Sequence, residues 1–405
     1  IIAFVACLRA GVIAIPVYPV DPRSPAKGMQ AFRAVCADSN AAVALTTAVY
    51  YGAAQQVDWP EKLAVWIPTD VPKMLLEPIG DTPNSLPPLH FPASKLAFLQ
   101  YTSGSTGDPK GVMVTHGNLA HNLSVIKVGM GLHSNTRWVT WLPQYHDLGL
   151  MCTLLASAFC GGSVTAMSPF SFVRDPPLWL RVASEVRATV LFAPTFALPL
   201  AARKFEADKN HPSLDLSCVR FLLVAAEPVT PSAVDEFTHV FGKYGLSPDA
   251  IVPAYGLAEQ TVYVCNNGRL RVRVERLALE NDRKVIVLES EDNNDESDAV
   301  SIVLLGCGII KQHSSIIIRI VDPETCFEVA ENLVGEIWVD SPSKAAGYWK
   351  RPVLSEETFR AKIRNESPPC TYLRTGDLGF VYNGELFVCG RLKDLIIIRG
   401  RNIYP

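Results

Sequence analysis

"YTSGSTGDPKG", Tyr101–Gly111, follows directly on the apolar run "LAFLQ", and its reading decides the fold. From Thr102 to Gly107 every position is Thr, Ser or Gly. Glycines let backbone amides turn inward, hydroxyls donate further hydrogen bonds, and Lys110 supplies a point charge that finds phosphate oxygens. The stretch predicts a phosphate-holding loop, Thr102–Lys110, between a strand over Ser94–Tyr101 and a second strand over Gly111–Val114. A loop between strands offers no helix N-terminus, so hydroxyls take that work. The nucleotide-binding P-loop is excluded, because it places its lysine directly after a glycine, whereas Asp108 and Pro109 separate Gly107 from Lys110. The candidate nucleotide contacts here are Thr102, Ser103, Gly104, Ser105, Thr106, Gly107 and Lys110.

Outward from this loop, the 405 residues are 48% hydrophobic and 19% charged, which are globular proportions with ample material for a large core. The formal net charge of −3 provides no global basic field, so nucleic acid is an unfavoured partner. Ten cysteines are scattered singly, without CxxC or zinc spacing, which points to a reducing, cytoplasmic compartment and no structural metal. The opening "IIAFVACLRAGVIAIPVYPV" is apolar, but Arg9, Gly11, Pro16 and Pro19 favour a helix ending at Gly11 and a buried strand "VIAIPV" over a transmembrane segment. The chain opens without Met and stops after "GRNIYP", so it reads as a piece of a longer protein.

From residue 1 to 267, runs such as "RWVTWLP", "ATVLFAP" and "VRFLLVAA" alternate with stretches of helical period. That alternation predicts α/β architecture with layered, doubly wound subdomains and largely parallel buried strands. From 268 to 390 the segments "RLRVRVERL", "SIIIRIVD", "GEIWVD" and "GELFVCG" are β-rich, which predicts a smaller antiparallel, barrel-like subdomain. The Pro-rich stretch 78–94 reads as a surface crossing. The acidic "ESEDNNDESD", 289–298, reads as a solvated insertion, because a calcium loop needs a fixed Gly and distal Glu.

Further motifs carry chemistry of their own. In "AYGLAEQT", 254–261, Tyr255 offers a flat face for a base, Gly256 permits close backbone approach, and Glu259 is a hard oxygen ligand suited to Mg²⁺. In "RTGDLG" a carboxylate between glycines, Asp377, can accept both hydroxyls of a ribose, and Arg391 of "GRLKD" can reach the same sugar.

Together "YTSGSTGDPKG", "AYGLAEQT", "GEIWVDSPSKAAGYW", "YLRTGDLG" and "GRLKDLIIIRGRNIYP" stand in the order of the adenylate-forming superfamily, which the chain closely resembles. The resemblance implies the large domain of that fold, and ATP and Mg²⁺ as cofactors. It implies adenine contacts from Glu227 and Pro228 of "AAEPVT" and from Ala254, Tyr255, Gly256, Leu257 and Ala258, and a metal ligand in Glu259. Lys393 matches the hinge, so 391–405 would lead to a small C-terminal domain carrying a further catalytic lysine. "WLPQYHDLGL", 141–150, looks like the segment of fatty acyl-AMP ligases, with His146 near the acyl carboxylate and the apolar "LMCTLLASAFCGG" behind it suited to an acyl tunnel. Lys110, His146, Glu259 and Lys393 are the residues that the resemblance makes catalytic. The implied partners are a fatty acid and a phosphopantetheinylated carrier protein. A fatty acyl-CoA ligase and a catalytically idle acyl- or nucleotide-binding module are the alternatives.

Overall fold

The computed structural model describes residues 1–24, 26–55, 57–60, 63, 65–70, 90–103, 108–207, 213–288, 301–398 and 401–403. The chain packs as two compact units, Ile1–Leu119 with Ala345–Ser355, and Ala120–Lys344 with Glu356–Pro405. The second unit therefore contains both the parallel and the antiparallel regions that the sequence separates near Asn267.

In the first unit, helix Ile2–Ala10 ends where Gly11 takes a left-handed conformation, φ 67°. The expected strand "VIAIPV" does not form: only Ala14 bridges, to Phe98. The reason is local, since Pro16 and Pro19 donate no backbone N–H to a ladder. Strands β1 (Val43–Thr46) and β2 (Val65–Pro68) pair in parallel. Strands β3 (Leu96–Ser103) and β4 (Pro109–Thr115) form the hairpin that carries the phosphate-loop motif. Pairing runs on to Ser103 opposite Pro109, so the strands reach further than their sequence suggests and Lys110 stands in β4, opposite Thr102. Proline is tolerated there as the first residue of its strand.

The second unit holds β5 (Arg137–Thr140), β6 (Ser163–Ala166), β7 (Val190–Ala193), β8 (Phe221–Val224), β9 (Ile251–Gly256) and β10 (Tyr263–Asn266) in one sheet ordered β10-β9-β8-β7-β5-β6. Only β10 runs antiparallel to its neighbour. Strand β7 is buried at every position, as the unbroken apolar run "VLFA" requires for a strand covered on both faces. The chain passes from β5 outward to β6 and then returns to β7 on the other side of β5. The carboxyl ends of β5 and β7 therefore flank a topological switch point, where open α/β sheets bind ligands.

Beyond Asn266 come β11 (Arg271–Glu275), β12 (Ser301–Leu305), β13 (Gly308–Ile309), β14 (Ile317–Val321), β15 (Gly335–Asp340), β16 (Leu373–Tyr382), β17 (Glu385–Arg391), β18 (Ile396–Ile398) and β19 (Arg401–Ile403). Five of them form an antiparallel sheet ordered β13-β17-β16-β15-β14, while β11-β12 and β18-β19 are separate antiparallel pairs. Val272 and Val274 of β11 share one core with Leu378, Phe380 and Phe387 of β16 and β17, which closes the antiparallel region around its own apolar centre. The alternation in "RLRVRVERL" sorts its faces, with Val272 and Val274 buried and Arg271 exposed. Residues 78–89 and the acidic stretch 289–298 lie outside the described residues. All ten cysteines are unpaired. Among the described residues no helix is long and apolar enough to cross a membrane.

Candidate active site

Within the first unit the hairpin is braced on its second side. Gly347 O accepts from Met113 N at 2.9 Å, and Trp349 N donates to Gly111 O at 2.8 Å, so the segment "AAGYW" lies along β4 like a third strand. Lys110 is half-buried, with Nζ 5.4 Å from the centre of the Tyr348 ring. Behind it the Tyr101 hydroxyl donates to Asp38 Oδ2 at 2.6 Å, and burial together with that carboxylate pushes the phenol up. The base of the Thr102–Lys110 loop is thus fixed by register and packing. Residues Gly104, Ser105, Thr106 and Gly107, and the side chain of Ser103, lie outside the described residues, while Thr102 is half-buried.

In the second unit the structure brings Tyr255, Asp377 and Arg391 together. Tyr255 donates its hydroxyl to Asp377 Oδ2 at 2.6 Å, and Arg391 Nε lies 3.3 Å from Asp377 Oδ1. Register explains the second contact, because Asp377 of β16 stands opposite Arg391 of β17. Asp377 is 7% exposed. Burial raises its pKa above the usual carboxylate value, against the opposing pull of the Tyr255 hydrogen bond and the Arg391 charge. Tyr255 is itself buried, so in this structure it presents a phenol to the carboxylate rather than an open ring face. Lys393 is exposed in the short turn Leu392–Asp394, and its charge also acts on Asp377.

Sequence reading missed what holds this carboxylate. Glu336 of β15, 2% exposed, accepts from Arg374 Nη2 at 2.7 Å and Nε at 3.0 Å, from Trp338 Nε1 at 2.9 Å and from Gly376 N at 3.0 Å. It therefore fixes the "RTGD" turn directly before Asp377. The available signal is a lone carboxylate inside the otherwise apolar run "GEIWV", since a charge in a buried strand requires partners.

The "AYGLAEQT" motif spans the end of β9 and a short turn, Ala258–Gln260. Gly256 is required by crowding: a Cβ there would lie 1.8 Å from Val262 O. Ala254 and Ala258 are buried, whereas Leu257 and Glu259 are half-exposed.

At the switch point, "WLPQYHDLGL" leaves β5. Trp141 stacks on Phe172 with ring centres 3.7 Å apart and meets Trp179 and Phe196 edge-on, giving that end of the sheet an aromatic lining. His146 Nδ1 lies 2.7 Å from Asp147 Oδ1, and the ring is 56% exposed. The Asp147 hydrogen bond raises the histidine pKa, partly opposed by burial. Asp147 Oδ1 also accepts Leu148 N at 2.7 Å and so caps the π-helix Leu148–Leu155, whose residues are all buried. π-helical turns are frequent at functional sites. Glu227, after β8, accepts the Phe196 amide at 2.6 Å, tying the β7 and β8 loops together; Ala226, Glu227 and Pro228 are exposed.

Among the described residues no three His, Cys, Asp or Glu gather as a metal set. A single carboxylate such as Glu259 nevertheless fits Mg²⁺, which takes one or two carboxylates and completes its octahedron with phosphate and water.

The family model for AMP-binding enzymes matches residues 1–349. A medium-chain-fatty-acid–[acyl-carrier-protein] ligase, JamA, of Moorena producens is 38% identical over 413 residues, covering 100% of this chain and 67% of that protein. A long-chain-fatty-acid–AMP ligase, FadD26, of Mycobacterium marinum is 35% identical, with coverages of 100% and 68%. The crystal structure of a fatty acyl-adenylate ligase from L. pneumophila, in complex with acyl adenylate and pyrophosphate, superposes with a TM-score of 0.83 at 33% identity, over 97% of this chain and 65% of that one. The chain thus spans about two thirds of the length of the relatives it matches.

Proposed function

The chain belongs to the AMP-binding enzyme family, and on that premise we propose that it is the nucleotide- and acyl-binding part of a cytoplasmic fatty acyl-AMP ligase. A carboxylate oxygen of the fatty acid attacks the α-phosphorus of ATP, the bond from that phosphorus to the oxygen bridging to the β-phosphate breaks, and pyrophosphate leaves. The products are acyl-AMP and pyrophosphate. The protein supplies positioning and charge neutralisation and forms no covalent bond of its own. Thr102–Lys110 would cover the β- and γ-phosphates, with Lys110 taking up charge that develops on the leaving group. Asp377 would accept the ribose hydroxyls with Arg391 alongside, and the backbone of 254–258 with Glu227 and Pro228 would line the adenine. Mg²⁺, held by Glu259, would neutralise phosphate charge when bound. Residues 391–405, with Lys393 as pivot, would form the hinge.

The observation that carries this reading is the buried Asp377 carboxylate held between the Tyr255 phenol and Arg391, in a motif whose four companions follow in the family's order. The acceptor we assign is the phosphopantetheine thiol of a carrier protein, which attacks the acyl carbonyl and releases AMP. The relative named as an acyl-carrier-protein ligase supports that choice, and two relatives named putative fatty-acid–CoA ligases, 36% identical, make CoA the alternative acceptor. Acid-dependent exchange of labelled pyrophosphate into ATP, scanned over acids from C2 to C18 on the full-length protein, tests the reaction. Exchange with fatty acids that is lost in Lys110→Ala is expected. Exchange only with amino or aromatic acids would redirect the reading, and no exchange with any acid would remove it.

His146 gives this site a pH dependence. Its pKa is raised, so the imidazolium persists above the ordinary histidine value of about 6.5 and is lost as pH rises through the shifted one. The KM for the acid should therefore rise with pH across that window, while the KM for ATP stays flat. Asp147→Asn removes the largest cause of the shift and should move the rise to lower pH. An acid KM that is indifferent to pH in both proteins would exclude a carboxylate-binding role for His146.

A further inference from the structure

The turn that carries Glu259 is held by several buried polar contacts, none of which the mechanism above uses. Thr261 adopts φ 68° and ψ −50°, a positive-φ conformation in which a β-branched residue is strained. Such a conformation persists only when its surroundings over-determine it. Two clamps from one helix, His116–Gly129, do so.

The first clamp is Asn122, which is 0% exposed. Its Nδ2 donates to Gln260 O at 3.2 Å and to Tyr263 O at 3.3 Å, and its Oδ1 accepts Tyr263 N at 3.3 Å. One amide side chain thus closes the backbone on both sides of Thr261. The second clamp runs through the segment 341–343. Thr261 Oγ1 donates to Ser343 O at 2.7 Å, Gln260 Nε2 donates to Ser341 Oγ, and Ser343 N donates to Ser341 Oγ at 3.0 Å. Ser343 is 0% exposed, and its Oγ lies 2.6 Å from His121 Nδ1, while Nε2 of the same ring lies 2.9 Å from Ser315 Oγ. Burial lowers the His121 pKa, so the ring is neutral and bridges two hydroxyls with one donor and one acceptor nitrogen.

We propose that Asn122 and His121 are positioning residues that aim the Glu259 carboxylate at the nucleotide-bound Mg²⁺ by holding the strained turn at Gln260–Thr261. The inference rests on the proposed reading of Glu259 as the metal ligand. Through this clamp Mg²⁺ and ATP are coupled thermodynamically, each tightening the other.

Calorimetric titration of the full-length protein with ATP, once in Mg²⁺ and once in EDTA, and separately with AMP, reads that coupling without turnover. Wild type should bind ATP more tightly in Mg²⁺. In Asn122→Ala and His121→Ala the ratio of the two dissociation constants should fall by about tenfold or more, with AMP affinity held within about threefold. His121→Asn, which retains an amide able to reach Ser343, should recover most of the ratio. If Asn122→Ala fails to fold, the partly exposed His121 variants carry the test alone. An unchanged ratio in folded variants, or AMP affinity falling as far as that of MgATP, overturns the clamp. A wild type that binds ATP without any Mg²⁺ effect overturns the metal role of Glu259, and the clamp with it.

Discussion

Glu336→Ala should lower the stability of the chain by about 3–5 kcal/mol, the range for removing one partner of a buried ion pair. The carboxylate is 2% exposed and takes four hydrogen bonds, two from Arg374 and one each from Trp338 Nε1 and Gly376 N. Alanine leaves an indole N–H and a backbone amide without their acceptor and removes the counter-ion of the guanidinium, which keeps Pro323 O at 3.3 Å as an acceptor. Arg374 is itself 32% exposed and recovers some hydration, which places the expectation toward the lower end of the range. Glu336→Gln keeps the shape and one carbonyl acceptor and should lose less. Denaturant unfolding checks this: the midpoint should fall with the slope unchanged. A midpoint equal to wild type in Glu336→Ala would mean that the "RTGD" turn is held by something else.

Asp377→Asn should separate binding from stability. Hydrogen bonds to a charged group contribute about 1.5–3 kcal/mol, so nucleotide affinity should fall roughly 10- to 150-fold. Stability should move the other way or not at all. The folded pKa of Asp377 is raised by burial, so its contribution to stability is fully present below the unfolded value near 3.9 and is lost as pH rises through the folded one. At neutral pH the ionised carboxylate is held in the interior against its solvation, and an amide relieves that. The expected pair of results is weaker AMP binding by calorimetry and an unfolding midpoint at neutral pH no lower than wild type. Unchanged AMP affinity would remove Asp377 from the ribose.

The layering of the α/β region was legible in the chain because runs such as "VLFA" and "FLLV" have no exposed face to alternate, and both became interior parallel strands. The hairpin was legible too, although its strands extend further than expected, because ladder pairing continues to Ser103 and Pro109. "VIAIPV" misled because its apolar content outweighed the prolines that prevent a ladder. The grouping of Asp377 with Arg391 was legible, because two motifs read as reaching one ligand stand opposite each other in the sheet. Contacts far apart in sequence were illegible: Asn122 with Gln260, separated by 138 residues, and His121 with Ser343, separated by 222. Neither residue is conspicuous within "HGNLAHNL". The π-helix at Leu148–Leu155 was hidden for a related reason, since an all-buried apolar run has no periodicity from which its pitch can be read.

Joining an acyl group to a nucleotide requires the two to bind next to each other on this chain. A non-hydrolysable acyl-adenylate analogue, titrated calorimetrically against AMP and the free fatty acid, measures it most directly. A single site for the analogue, at least about a hundredfold tighter than either half alone and weakened by Asp377→Asn, is the expected result. An analogue that binds no more tightly than AMP, with no response to acyl length, would mean that nucleotide and acyl group do not share a site.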